Sequence, residues 1–123
     1  MPNVRVLIAD DAAVIRKAIK GFLECDATLQ VCGEAANYSQ TLELAASLKP
    51  DLILLDLNMP DRNDFEPSFV KSKLRSTSQV LFMSLLTEDI DVSRLASAYG
   101  AMAFVDKAQL YDELKAAIER IRS

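Results

Sequence analysis

With 123 residues, half of them hydrophobic and 26% charged, the chain has the size and balance of one globular domain, residues 1–123, and is too short for two. A net charge of −4 without a Lys/Arg cluster offers nothing to neutralise nucleic-acid phosphates, and no apolar run approaches a membrane span of about 18 residues, so neither direct nucleic-acid binding nor membrane insertion is expected. The absence of histidine, with two cysteines and three glycines, excludes His-dependent triads, HExxH zinc sites, phosphohistidine relays, four-cysteine metal centres and glycine-rich phosphate loops, which leaves carboxylate chemistry.

In chain order, the apolar run Val4–Ala9 reads as a first strand, after which Ile15, Ala18, Ile19 and Phe22 recur at helical spacing. Leu29–Ala35 is a second strand, and Tyr38–Leu48 a second helix that Pro50 prevents from continuing. Leu52–Leu55 forms a third strand and Glu66–Arg75 a third helix, with Pro67 suited to its first turn. Val80–Met83 is the fourth strand. The next helix opens on Glu88 and Asp89, which complement its dipole, and carries the stripe Val92, Leu95, Ala96 and Tyr99. Met102–Val105 is the fifth strand, and Leu110, Leu114, Ala117, Ile118 and Ile121 line the last helix. All of these stripes are assigned to core packing. Five such βα units predict a parallel sheet covered on both faces, with right-handed crossovers. The N-terminus lacks a secretory signal pattern, and Cys25 and Cys32 are too few for a disulfide framework. Both read as reduced core residues of a cytoplasmic protein.

The stretch "LILLDLNMPD", residues 52–61, runs a buried-type strand into a carboxylate, Asp56. Burying an unpaired carboxylate is costly, so a reason is required. Ligands of an open parallel sheet sit beyond the carboxyl ends of its strands. There the sequence places Asp10 and Asp11 after the first strand, Asp56 after the third, Ser84 after the fourth, and Asp106 and Lys107 after the fifth. Like charges about 4 Å apart repel by about 4 kcal/mol at an effective dielectric near 20, so clustered carboxylates protonate or recruit a cation. All-oxygen ligands with few carboxylates favour Mg²⁺ over Ca²⁺. A cation, an ammonium and a hydroxyl around one carboxylate suit phosphoryl oxygens, which makes Asp56 a candidate nucleophile.

On Asp10-Asp11, Asp56-Leu57-Asn58-Met59-Pro60, Ser84, and Phe104 followed by Lys107, the whole chain resembles the receiver domain of two-component response regulators. The stretches "VLIADDAAVIRKAIKGFLE" and "VCGEAANYSQTLELAASLKPDLILLDLNMPD" look most like receivers of the LuxR/NarL type. The resemblance implies a flavodoxin-like (βα)5 fold, a doubly wound parallel five-stranded sheet. It also implies transfer of a phosphoryl group from a sensor histidine kinase to Asp56, and a conformational switch rather than an enzyme. Mg²⁺ would be held by Asp11 and Asp56, by Asp10 directly or through water, and by the Asn58 backbone carbonyl. Lys107 would pair with the phosphoryl oxygens, Ser84 would move toward them, and Phe104 would be the switch aromatic. Such receivers commonly dimerise through the fourth helix, fifth strand and fifth helix, a surface that here includes Asp91, Arg94, Asp112 and Lys115.

Three departures stand out. Leu85 replaces the usual small residue after the switch hydroxyl, Asp64 a turn glycine, and Ala108 the proline after the lysine. Leu85 would slow phosphorylation by crowding. Of the two side chains expected at the pocket mouth, Asn58 would orient the water that removes the phosphoryl group while Leu86 would exclude it, with exclusion expected to win. Two rival functions are a receiver-like binding module that is never phosphorylated and an aspartate phosphatase of the haloacid-dehalogenase type. The latter carries a second acid two residues after its nucleophile, where this chain has Asn58.

Overall fold

The computed structural model describes residues 3–84 and 92–122. Five strands, β1 (Val4–Ala9), β2 (Leu29–Ala35), β3 (Leu52–Asp56), β4 (Gln79–Ser84) and β5 (Ala103–Asp106), alternate with five helices. The helices are α1 (Ala13–Glu24), α2 (Tyr38–Leu48), α3 (Pro67–Arg75), α4 (Val92–Ala98) and α5 (Leu110–Arg122). The strands form one all-parallel sheet in the order β2-β1-β3-β4-β5, the flavodoxin-like doubly wound fold that the resemblance implied. Glu88, Asp89, Leu85, Leu86 and Asp91 lie outside the described residues. Among the described residues no helix is long and apolar enough to cross a membrane.

Alternating strand residues feed two cores. Leu7, Ala9, Ile53, Leu55, Val80 and Phe82 face one cluster, closed by Tyr38 and Ala45 of α2, Val70 and Leu74 of α3, and Ala96 with Tyr99 from α4 and its end. Val6, Ile8, Leu52, Leu54, Leu81 and Met83 face the other, closed by Ile19 and Leu23 of α1 and Leu114, Ala117 and Ile118 of α5. Because both faces are covered, the middle strands are apolar without interruption, which is why they were legible as short apolar runs.

Local chemistry sets the boundaries. Lys49 takes the left-handed conformation (φ 48°) to end α2 before Pro50. Pro67 occupies the first turn of α3, so the helix begins there, with Glu66 as its cap rather than its first residue. Asp64 closes a short 3₁₀ turn, Arg62–Asp64, without positive φ, so this turn never needs a glycine. In β2 the register skips Cys32, Val6 pairing with Val31 and Leu7 with Gly33, a bulge that twists the strand. A Cβ on Gly33 would meet Leu48 at 2.9 Å, so glycine lets α2 close on the bulge.

The expectation of two core cysteines is corrected here. Cys25 is exposed at the C-cap of α1, its thiol donating to the Gly21 carbonyl at 3.4 Å, and Cys32 is half-buried at the bulge. Both are free thiols. The apolar stripe of α1 ends at Leu23, and the turn that follows carries Cys25 out to the surface.

Candidate functional site

The carboxyl ends of β1, β3, β4 and β5 meet beside the point where the strand order reverses, the usual ligand crevice of such a sheet. The ladder continues past β3 as the Leu57 N–H donates to the Met83 carbonyl at 3.1 Å, and Ser84 pairs with Asp106 across β4 and β5. Register therefore brings together residues as far apart in sequence as Asp10 and Lys107.

Asp10 and Asp56 leave their strands in the same way. Asp10 Oδ1 accepts the Ala12 N–H at 2.9 Å, and Asp56 Oδ1 accepts the Asn58 N–H at 3.1 Å. Each carboxylate thus turns its own backbone with one oxygen and keeps the other for the crevice. Arg16 fastens the first of these turns, donating to the Asp10 carbonyl at 2.7 Å while pairing with Glu34 at 3.2 Å.

Asp10, Asp56 and Ser84 are buried. Lys107 reaches in from the loop after β5, its Nζ 2.6 Å from Asp10 Oδ2 and 3.1 Å from Asp56 Oδ1. Among the described residues Asp56 Oδ2 has no hydrogen-bond partner. Burial raises the Asp56 carboxyl above its ordinary range and the Asp10 charge adds to this, with Lys107 only partly opposing it. Burial alone would lower the Lys107 ammonium, but its two carboxylate partners together outweigh that and raise it.

Asp11 is exposed at the rim, yet an oxygen from each of Asp10, Asp11 and Asp56 falls within a group spanning 4.8 Å. A buried carboxylate pair with an unpartnered oxygen, and a third acid at its mouth, has the all-oxygen donor set that a hard cation takes.

The other expected residues lie close by in different roles. Asn58 is exposed at the crevice mouth, and Phe104 is half-buried against the cluster that α2, α3 and α4 cover. Asp106 turns away, accepting the Ala108 N–H at 2.9 Å to start the 3₁₀ turn Lys107–Gln109. Proline at position 108 would lack that donor, which accounts for the departure at Ala108.

Sequence reading missed Asp61 and Tyr38. Asp61 Oδ1 accepts the Tyr38 N–H at 2.7 Å and its Oδ2 accepts the Ser39 N–H at 3.0 Å, tying the loop after β3 to the start of α2. The signal available was the carboxylate in the "MPD" turn, a natural acceptor for a helix N-terminus. Tyr38 is fully buried with its hydroxyl on the backbone of Asp56 and Leu57. Burial, with Tyr99 next, pushes its pKa far above the usual tyrosine range.

The response regulator receiver domain model matches residues 6–119. A protein-glutamate methylesterase/protein-glutamine glutaminase of Nocardioides sp. is 32% identical over 123 residues, covering 99% of this chain and 34% of that protein. The signal receiver domain of NarL from Mycobacterium tuberculosis superposes with a TM-score of 0.82 at 28% identity, covering 100% of this chain and 99% of that one. The CheY6 structure of R. sphaeroides, solved in complex with the P1 domain of CheA3, gives a TM-score of 0.78 at 26% identity, with 98% and 97% covered. The chain spans about a third of the length of the curated relatives it matches.

Proposed function

The chain belongs to the response regulator receiver family of two-component signalling, and on that premise we propose that Asp56 is its phosphoacceptor. The observation that carries this is Asp56 Oδ2, buried and, among the described residues, without a hydrogen-bond partner, in a crevice shared with Asp10, Asp11 and Lys107. The Asp56 carboxylate attacks phosphorus. The bond from phosphorus to the imidazole nitrogen of a histidine kinase, or to the nitrogen of phosphoramidate, breaks, and the electron pair leaves with that nitrogen.

The all-oxygen donor set fits Mg²⁺, held by Asp10, Asp11, Asp56 and the Asn58 backbone carbonyl. When bound, the ion supplies charge neutralisation to the phosphoryl oxygens. Lys107, already in ion contact with Asp56, would follow the charge onto those oxygens, and the Ser84 hydroxyl would donate to one of them. Phe104, on β5 two residues before Asp106, would report the change to the surface around α4, β5 and α5. Residues 1–123 would act as one cytoplasmic receiver domain, a switch that serves a kinase and an output partner and does not itself contact nucleic acid.

Incubated with phosphoramidate and Mg²⁺, the protein should gain the mass of one phosphoryl group, mapping to the peptide that contains Asp56, and should gain none in EDTA. Uptake on another residue, or undiminished uptake in EDTA, would overturn the assignment.

Dimerisation through α4, β5 and α5 is part of the same reading. Exposed Arg94, Asp112 and Lys115 give that surface mixed charge, so a modest, salt-sensitive interface is expected. Sedimentation should show a dimer only with beryllofluoride and Mg²⁺ present. An unchanged monomer would count against it.

A further inference from the structure

Tyr38 is a large, fully buried side chain whose polar tip has no part in the chemistry above. It begins α2, one residue after the Asn37 cap. Its ring lies between Phe65, with centroids 6.5 Å apart, and Tyr99, at 5.9 Å, and Tyr99 stacks in turn on Phe82 at 5.6 Å. Two aromatic neighbours, one of them braced by Phe82, leave the ring little freedom, and Asp61 accepts its backbone N–H.

The hydroxyl so placed donates to the Leu57 carbonyl at 3.0 Å and approaches the Asp56 carbonyl at 3.3 Å. The peptide joining Leu57 to Asn58 is therefore gripped at both ends. Its carbonyl accepts from Tyr38, and its N–H donates to Asp56 Oδ1 at 3.1 Å. Any tilt of this peptide plane swings the Asp56 carboxylate and carries Asn58 with it. A buried peptide carbonyl also requires a partner, so loss of the hydroxyl would leave the plane free to seek another.

We propose that Tyr38 is a positioning residue for the phosphoryl chemistry of Asp56, its hydroxyl locking the Leu57–Asn58 peptide that orients the carboxylate and presents the Asn58 carbonyl. The proposal rests on the reading of Asp56 as phosphoacceptor and extends it to a residue on another element, 18 positions away in sequence. Groups that orient metal-binding ligands typically change metal affinity or activity by about 10–100-fold when removed.

The test is Tyr38→Phe, which keeps the ring, its stacking and the Asp61 clamp and removes a single hydroxyl. The Mg²⁺ concentration giving half of the thermal stabilisation should rise by about tenfold, and phosphorylation from phosphoramidate at saturating Mg²⁺ should slow by about tenfold. The chain has no tryptophan, so its intrinsic emission comes from tyrosine alone. Mg²⁺ should alter that emission in the wild type and alter it much less in Tyr38→Phe. Tyr38→Leu, which also strips the ring, should show the same Mg²⁺ defect with a larger loss of stability.

A hydroxyl that only stabilised the fold would lower the melting temperature of Tyr38→Phe yet leave its Mg²⁺ midpoint and transfer rate at wild-type values, and that result overturns the proposal. So would a defect seen in Tyr38→Leu but not in Tyr38→Phe. If the wild type took no phosphoryl group, the phosphoacceptor reading would fall, while the Mg²⁺ midpoint of Tyr38→Phe would still decide whether the hydroxyl positions the site.

Discussion

Asp56→Asn should abolish phosphoryl uptake and, without Mg²⁺, should raise the melting temperature. The first effect follows from the role proposed for Asp56. The second follows from burial: Asp56 is 1% exposed, and its carboxyl is raised above the ordinary aspartate value of 3.8 by desolvation first and by Asp10 second. The folded protein therefore binds this proton more tightly than the unfolded chain does. At neutral pH the ionised carboxylate costs stability. The cost shrinks as pH falls through the raised value and vanishes once the unfolded carboxyl is also protonated, below about 3.8. Asparagine keeps the shape without the charge, so at pH 7 in EDTA it should melt higher, by about 4 °C if about 1 kcal/mol is relieved.

The gap should narrow as the wild type is acidified toward pH 4. Mg²⁺ should reverse the order, because the ion stabilises the wild type by mass action and has lost a ligand in the variant. Scanning fluorimetry across pH, with and without Mg²⁺, gives all of these. An asparagine variant that melts below the wild type at pH 7 in EDTA would show the buried carboxylate to be net stabilising.

The parts of this site that the sequence disclosed share one property: each stands next to the end of a strand. Asp10, Asp56, Ser84 and Lys107 were found because uninterrupted apolar runs mark buried parallel strands, and the one or two residues after each run emerge at the edge that holds the crevice, although Asp106 there turns away. The bounds of β2 and α2 are those expected, since a bulge does not shorten a strand and Pro50 stops a helix whatever its surroundings. Tyr38 and Asp61 were invisible for the opposite reason. Their hydrogen bonds join residues 18 to 23 positions apart, and no local period encodes them. In the helical pattern Tyr38 counts only as the first apolar residue of α2. Cys25 was misplaced because composition gives a residue's preference for burial, whereas the turn that ends α1 decides its exposure.

Lys107→Met should have the largest effect on the metal-free protein. Lys107 places its ammonium 2.6 Å from Asp10 and 3.1 Å from Asp56, and both carboxylates are almost wholly removed from water. Methionine preserves most of the aliphatic stem and deletes the charge, so two buried carboxylates are left to repel each other. Removing one partner of a buried ion pair costs about 3–5 kcal/mol. Even the lower end would depress the melting temperature in EDTA by about 10 °C. Two treatments should restore it. Mg²⁺ supplies a replacement positive charge, and the second substitution Asp56→Asn removes the repulsion, so the double variant should melt well above Lys107→Met alone. This non-additivity identifies the cause as charge rather than lost packing. Phosphoryl transfer should not recover with the fold, because the ammonium that would meet the developing phosphoryl charge is gone. At saturating Mg²⁺ the single variant should transfer about a hundredfold more slowly than the wild type. If Lys107→Met melted like the wild type in EDTA and took up phosphate at the same rate, its two ion contacts would have no energetic weight and another cation would have to serve the site.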